Sequence, residues 1–290
     1  MKIPAFWAMG RYAGENAQGK KFAFEAWGAS DRSASEAQEA AVRRARRVFQ
    51  IVAVEGRRPD EYDYADRPIR EEILDRVMHE GNEAAIVTRN RYGVRVLNCA
   101  SVLFADVDVT LPAPAGMAAL FANLFGGREK REARRREAVQ AAEQRVQTWS
   151  AQNPSRGFRL YRTCGGLRLL FTDKRYEPQA PETTRLLEEL QSDPLYIRLT
   201  QKQACFRARL TAKPWRCGCA RPPCRAYPWR QASDEQAFRT WQKKYEACEA
   251  KYRVCEFVGQ FGAAGGDALV ARIVESHDQE TRKASTMPLA

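Results

Sequence analysis

The stretch SVLFADVDVT, residues 101–110, is an apolar run that ends in two aspartates, Asp106 and Asp108. Strand side chains alternate between faces, so both carboxylates lie on one face with Phe104, while the other face is apolar throughout. Two residues of strand span about 6.6 Å, so the carboxylates can converge on one divalent ion. Oxygen ligands of this kind suit Mg²⁺ or Mn²⁺. The alternative is a strand end whose acids form ordinary salt bridges.

The composition favours a globular protein with a polyanionic partner. The 290 residues include 48 Lys and Arg against 36 Asp and Glu, a net charge of +12, which favours DNA, RNA or nucleotide phosphates as partners. No stretch is apolar enough to span a membrane. The first residues lack the apolar region of a secretory signal, so we expect a cytoplasmic location with cysteines reduced or metal-bound.

Hydrophobic periodicity and turn residues predict an α+β fold, with a mainly antiparallel sheet flanked by helices. The predicted strands are 20–30, 84–90, 93–98, 101–109, a hairpin at 157–172, and 205–215. The predicted helices are 33–52, 69–81, 126–152, 181–193 and 234–259. We divide the chain into an N-terminal α/β part with a basic helix (1–82), a core (83–216), a cysteine-rich segment with a C-terminal helix (217–277) and a disordered tail (278–290).

The hairpin GFRLYRTCGGLRLLFT, residues 157–172, contains the glycine pair Gly165-Gly166, which suits a tight turn. Pairing across this turn places Thr163 beside Arg168 on one face. Backbone N–H groups at such a turn, together with a guanidinium, can bind a phosphate. An ordinary hairpin with exposed arginines is the alternative.

The order of these elements resembles the archaeo-eukaryotic primase, or primase-polymerase, superfamily over roughly residues 86–216. ADVDV resembles the first motif of that family, in which two acids bind the catalytic divalent metal. TCGGLR resembles the second motif, which contacts the incoming nucleotide, although Arg168 stands where the family has a histidine. FRARLTAKPWR resembles the basic strand that follows.

The resemblance implies a primase-polymerase-like core that transfers nucleotides onto nucleic acid. It implies that Asp106 and Asp108 are catalytic metal ligands for Mg²⁺ or Mn²⁺. A nucleoside triphosphate would be contacted by residues of the second motif and the basic strand: Thr163, Gly165, Gly166, Arg168, Arg207, Arg209 and Lys213. The third acidic motif of the family is not clear, and Asp173 and Asp193 lie in its general region.

The segment CGCARPPC contains three thiols within eight residues, at Cys217, Cys219 and Cys224. Such a group can wrap a tetrahedral Zn²⁺, and free thiols are the alternative. A fourth ligand would come from elsewhere, with Cys205, Cys248, Cys255 and His277 as candidates. Of the two histidines, His79 is expected to cap a helix end, and His277 lies near the predicted tail.

Three functions therefore remain open. The first is an enzyme of primase-polymerase type. The second is a catalytically inactive nucleic-acid-binding protein on the same fold, which the missing histidine favours. The third is a metal-dependent nuclease that shares only the acid pair. The position of Arg168 relative to both aspartates discriminates between a shared site and unrelated surfaces.

Overall fold

Two four-stranded antiparallel sheets share the main hydrophobic core of the computed structural model. The structure describes residues 1, 3–56, 68–109, 127–224, 227–282 and 286–290. Helices and antiparallel sheets are mixed along the chain, which confirms the α+β class.

The first sheet has the order β3-β4-β5-β9. Its strands are β3 (Glu72–His79), β4 (Asn82–Arg89), β5 (Arg95–Cys99) and β9 (Phe206–Arg209). β4 and β5 are almost entirely buried, as expected for two central strands covered on both faces.

The second sheet has the order β10-β7-β8-β6. Its strands are β6 (Phe104–Asp108), β7 (Phe158–Thr163), β8 (Gly166–Phe171) and β10 (Cys255–Phe261). β6 also contacts β9 of the first sheet, so the acid pair lies where the two sheets meet. Strand pairs cross two of the predicted domain boundaries: β3 with β4 crosses 82/83, and β7 with β10 crosses 216/217.

In the residues that the structure describes, five α-helices lie between or after these strands. They are α2 (Gly127–Gln152), α3 (Pro181–Glu189), α4 (Pro194–Gln203), α5 (Ala232–Glu249) and α6 (Ala268–Thr281). Among the residues described, no helix combines the length and apolarity needed to cross a bilayer.

The N-terminal hairpin of β1 (Phe6–Glu15) and β2 (Lys21–Ser30) carries α1 (Ala34–Phe49) on one face. Ser33 caps this helix as predicted, since its side chain accepts a hydrogen bond from the Glu36 amide at 3.1 Å. A Cβ added at Gly28 would lie 2.1 Å from the Ala41 amide nitrogen. The helix therefore packs on the hairpin at a distance that only glycine permits.

The predicted helix 69–81 is wrong, because most of this segment is strand β3. A two-residue turn at Glu80 and Gly81, both with positive φ (50° and 78°), reverses the chain into β4. Gly81 is therefore a hairpin residue and not a helix stop, and His79 ends a strand and does not cap a helix.

The predicted helix 234–259 and the disordered tail also differ from the structure. Helix α5 ends at Glu249, and the residues after it form β10 at the edge of the second sheet. The predicted tail begins inside α6, which continues to Thr281. Beyond it, Ala290 is buried and its amide donates to the Arg253 carbonyl at 3.1 Å.

Candidate functional site

The structure joins Asp106 to Arg168 by a buried ion pair. The two residues face each other across β6 and β8, and Arg168 Nε lies 3.0 Å from Asp106 Oδ1. The Arg168 side chain is only 1% exposed. Burial raises the pKa of Asp106, but Arg168 and Arg209 more than offset this, so its pKa lies below the ordinary value.

The remaining contacts of Arg168 also point into the protein. Its Nη1 donates to the Arg209 carbonyl at 2.9 Å and lies 3.4 Å from His277 Nε2. Arg168 was expected to contact a triphosphate, but this side chain faces the core. It fixes Asp106 and ties β8 to β9.

His277 continues this buried network. Burial lowers its pKa to about 4, so the imidazole is neutral at pH 7. Its Nδ1 lies 3.1 Å from Asp278 Oδ1, which places the proton on Nδ1 and leaves Nε2 to accept from Arg168. Burial raises the pKa of Asp278, but hydrogen bonds from His277 and Tyr161 lower it to about 2. The network therefore runs from Asp106 on β6 to α6.

Asp108 lies beside two other carboxylates. Burial and the charges of Asp106 and Asp193 raise its pKa. Asp193 is tied to β6, because its amide donates to the Asp106 carbonyl at 3.0 Å, and its side chain caps α4 through the Leu195 amide at 2.9 Å. Of the two candidates for a third acid, Asp193 is therefore near the pair.

The other candidate, Asp173, is engaged elsewhere. Its carboxylate accepts from the Tyr176 hydroxyl at 2.8 Å and lies 3.8 Å from Arg156 Nη1. These contacts give Asp173 a structural role after β8.

Three cations crowd the same region. Burial lowers the pKa of Lys213 to about 8, with further lowering by Arg209 and Arg216. Burial and the charges of Arg168 and Arg216 lower the pKa of Arg209. We call this region the β6–β9 site and define it by Asp106, Asp108, the loop 163–166, Arg168, Asp193, Arg209, Lys213 and Arg216.

The hairpin turn borders the site but lies one residue earlier than predicted, at Cys164 and Gly165. Arg162 pairs with Leu167 and Tyr161 with Arg168, so Thr163 is two positions from its expected partner and on the same face. The amides of Gly165 and Gly166 both donate to Thr163 Oγ1 at 3.2 Å. These two N–H groups were expected to bind phosphate, but the loop itself already satisfies them.

Gly166 is required by a close backbone neighbour, and Gly165 lies against two side chains of the site. A Cβ at Gly166 would lie 2.1 Å from the Val107 carbonyl oxygen. A Cβ at Gly165 would lie 3.1 Å from Asp108 Oδ1 and 3.6 Å from Arg216 Nη2. The loop therefore lies directly against an acid and a cation of the site.

Arg207 lies outside this site. Its Nη2 donates to Glu71 Oε2 at 2.6 Å, and Glu71 also accepts from the Thr88 hydroxyl at the same distance. The predicted basic strand thus contributes Arg209 to the site, whereas Arg207 binds the segment before β3.

The three predicted zinc thiols border one hydrophobic cluster. Cys217 and Cys219 lie near Cys248 of α5 and pack in the cluster around Trp241. Cys224 lines a pocket together with Trp229 and Phe238, which belong to the same cluster. Within the described part of the chain, no three His, Cys, Asp or Glu side chains are grouped as a metal site. Zinc binding stays a prediction.

Sequence reasoning missed the roles of His277 and Arg216. The signal for His277 was present, since Val270, Ile273, His277 and Thr281 recur at helical spacing and are all buried. Arg216 follows the basic strand in a short 3₁₀ turn, Pro214–Arg216, and no motif distinguished it from the other arginines of the chain.

We found no protein-family model that matches the chain, and no curated protein or solved structure with detectable similarity to it. Membership of the primase-polymerase superfamily therefore stays a prediction.

Proposed function

We propose that the chain is a primase-polymerase-like nucleotidyltransferase that binds a nucleoside triphosphate with a divalent cation at the β6–β9 site. The observation that carries this proposal is that three acidic and three basic side chains interact electrostatically within one small region. The acids are Asp106, Asp108 and Asp193, and the cations are Arg209, Lys213 and Arg216.

Crowded like charges suit a ligand that carries both signs of charge. Burial raises the pKa of Asp108, and the charges of Asp106 and Asp193 raise it further. Burial likewise lowers the pKa of Lys213, and the charges of Arg209 and Arg216 lower it further. A divalent cation relieves the first repulsion and a polyphosphate relieves the second. A metal–triphosphate complex supplies both at once.

The carboxylates present fit Mg²⁺ or Mn²⁺ when phosphate oxygens complete the coordination. Mg²⁺ in nucleotide sites is commonly held by one or two carboxylates together with substrate phosphates. Asp108 and the oxygen of Asp106 that does not bind Arg168 would supply the protein ligands. When bound, the metal would polarise the α-phosphate for attack by a 3′-hydroxyl.

The chain's own cations position and neutralise the phosphates. Lys213 and Arg216 lie at the 3₁₀ turn next to the Gly165 loop, within reach of an anion placed against that loop. Arg209 neutralises charge at the base of the site. Arg168 holds Asp106 in one orientation, so a ligand meets a carboxylate that is already positioned.

Catalytically inactive nucleic-acid binding on the same fold is the second candidate. The Asp106–Arg168 pair favours it, because a built-in guanidinium occupies one oxygen of the first acid. The hairpin amides favour it too, since both are satisfied within the loop. On this proposal the cations bind phosphates of a strand and no transfer follows.

Thermal unfolding with and without ligand tests the first proposal. Wild type, Asp108→Asn and Lys213→Ala are melted with millimolar nucleoside triphosphate, Mg²⁺ or Mn²⁺, or both. Ligand at about 100 times its Kd stabilises the native state by about 2.7 kcal/mol. We expect this stabilisation in wild type and its loss in both variants, while the exposed-lysine control Lys243→Ala behaves as wild type.

Primer extension on the same proteins separates the two candidates. Elongation by wild type and its loss in Asp108→Asn support the transferase. Nucleic-acid binding without elongation or triphosphate-dependent stabilisation supports the non-catalytic protein. Primer shortening that needs metal and Asp108 indicates the nuclease instead.

A further inference from the structure

An exposed tryptophan lies directly beside the β6–β9 site. Trp215 is 43% exposed and occupies the middle of the Pro214–Arg216 turn, between Lys213 and Arg216 of the site. The turn is held in place because the amides of Cys217 and Cys219 donate to the Pro214 carbonyl at 3.1 and 2.8 Å. The indole is therefore presented to solvent by an anchored turn.

A second aromatic ring and three cations frame the indole. Tyr92 packs edge-on against Trp215 at 5.5 Å, and Arg91 lies over the Tyr92 ring at 4.8 Å. Lys213 and Arg221 lie over Trp215 at 5.5 and 5.0 Å. We call Arg91, Tyr92, Lys213, Trp215 and Arg221 the Trp215 surface.

The cations of the Trp215 surface are available to an anion. In the described ranges, neither Arg91, Arg221 nor Lys213 forms an ion pair with a carboxylate. An aromatic ring framed by cations is complementary to a base attached to phosphates, since rings stack on bases and cations contact the backbone.

The same surface continues away from the site. Arg91 also lines a pocket that contains Tyr227, Trp229 and Arg70. Arg239 lies over the Trp229 ring at 4.7 Å, which repeats the pairing of arginine with an aromatic ring. The pairing of arginine with an aromatic ring therefore recurs beyond Trp215, where Arg239 is also ion-paired with Glu72.

We propose that a base of single-stranded nucleic acid stacks on Trp215, with the flanking phosphates bound by Lys213, Arg221 and Arg91. A single strand is the partner because the base faces of a duplex are covered by their neighbours, whereas a single strand exposes them. The inference rests on the proposed function only in taking nucleic acid as the partner. It adds the strandedness and the place of contact.

Fluorescence anisotropy with a labelled oligothymidylate of about 20 nucleotides tests the proposal. The titrations are made in EDTA without triphosphate, so the result does not depend on metal–nucleotide binding at Asp106 and Asp108. Trp215→Ala is expected to weaken binding about 5- to 100-fold, the range found when one stacked base is lost. Trp215→Phe is expected to retain most of the affinity, and Trp215→Leu to behave as the alanine variant.

The controls separate stacking from charge. Phe6→Ala removes an aromatic side chain of similar exposure, 40%, on β1 and is expected to bind as wild type. Lys213→Ala is expected to reduce the salt dependence of binding, and Trp215→Ala to leave that slope unchanged. On an abasic strand of the same length, wild type and Trp215→Ala are expected to bind equally.

The proposal is overturned if Trp215→Ala binds the oligothymidylate as tightly as wild type. It is also overturned if the variant loses affinity equally for the single strand, a duplex and the abasic strand, which would indicate a general structural effect. Wild type that binds no oligonucleotide, in DNA or RNA form, overturns it as well. Circular dichroism of each variant confirms that the fold is retained.

Discussion

Replacing Asp106 with asparagine is expected to destabilise the protein, although the change keeps the size of the side chain. Arg168 is 1% exposed and its Nε lies 3.0 Å from Asp106 Oδ1, so the substitution leaves a buried guanidinium without its counter-charge. Removing one partner of a buried pair costs about 3–5 kcal/mol. The asparagine oxygen still accepts a hydrogen bond and Asp106 is 21% exposed, so we expect the free energy of unfolding to fall by about 3 kcal/mol, the lower end of this range.

Asp108→Asn is the matched control for this measurement. Burial and the neighbouring acids raise the pKa of Asp108, so its charge opposes folding at neutral pH and its removal is expected to be neutral or slightly stabilising. Urea unfolding of both variants gives the two free energies of unfolding. Equal stability of the two variants would refute the assignment of Arg168 as an obligatory partner of Asp106.

The pH dependence provides an independent check on the same pair. The pKa of Asp106 is lowered on folding, so its contribution to stability is present above the unfolded value near 3.8 and is lost as the pH falls through the lower folded value. We expect wild type and Asp106→Asn to converge in stability in this acid range. A double variant, Asp106→Asn with Arg168→Gln, should be less destabilised than the sum of the single changes.

Three further predictions concern the surrounding structure. Burial lowers the pKa of His277 from 6.5 to about 4, so its contribution to the free energy of unfolding is fully present above pH 6.5 and falls by about 3 kcal/mol on acidification to pH 4. Urea unfolding at a series of pH values should show that His277→Gln lacks this pH dependence. Gly166→Ala places a Cβ 2.1 Å from a backbone oxygen and should cost about 2–3 kcal/mol in urea, whereas Gly266→Ala, which meets nothing within 4 Å, should cost under about 1. Elemental analysis should find one zinc per chain if the cysteine-rich segment binds metal, and metal-free protein with titratable thiols would exclude it. The thiols concerned are Cys217, Cys219 and Cys224.

Local sequence patterns correctly predicted the elements whose apolar periodicity fits only one type of secondary structure. The capped helix after Ser33, the strand that ends at Asp108 and the hairpin strands on either side of Gly165 lie close to where the sequence placed them. Each has a periodicity that agrees with its own capping or turn residues.

Segments with ambiguous periodicity were assigned wrongly. Ile69, Ile73 and Val77 are spaced like one helix face, but residues 72–79 pair with β4 as an edge strand. Residues 255–261 continue a helical pattern from α5 in sequence, yet they pair with β7. In both cases pairing with a neighbouring strand outweighs local preference, because backbone hydrogen bonds and burial exceed the small differences in propensity.

The sequence by itself determined the charge, the α+β class and the presence of two acids on one strand face. Only the tertiary structure decided what surrounds them. Arg168 is 62 residues from Asp106 along the chain and His277 is 109 residues from Arg168, so no local pattern relates them. Sheet register brings Arg168 opposite Asp106, and α6 packs His277 against the buried Arg168. The Arg168 guanidinium was expected to bind phosphate, but because it is buried it pairs with Asp106 instead. An ion removed from water requires a fixed counter-charge.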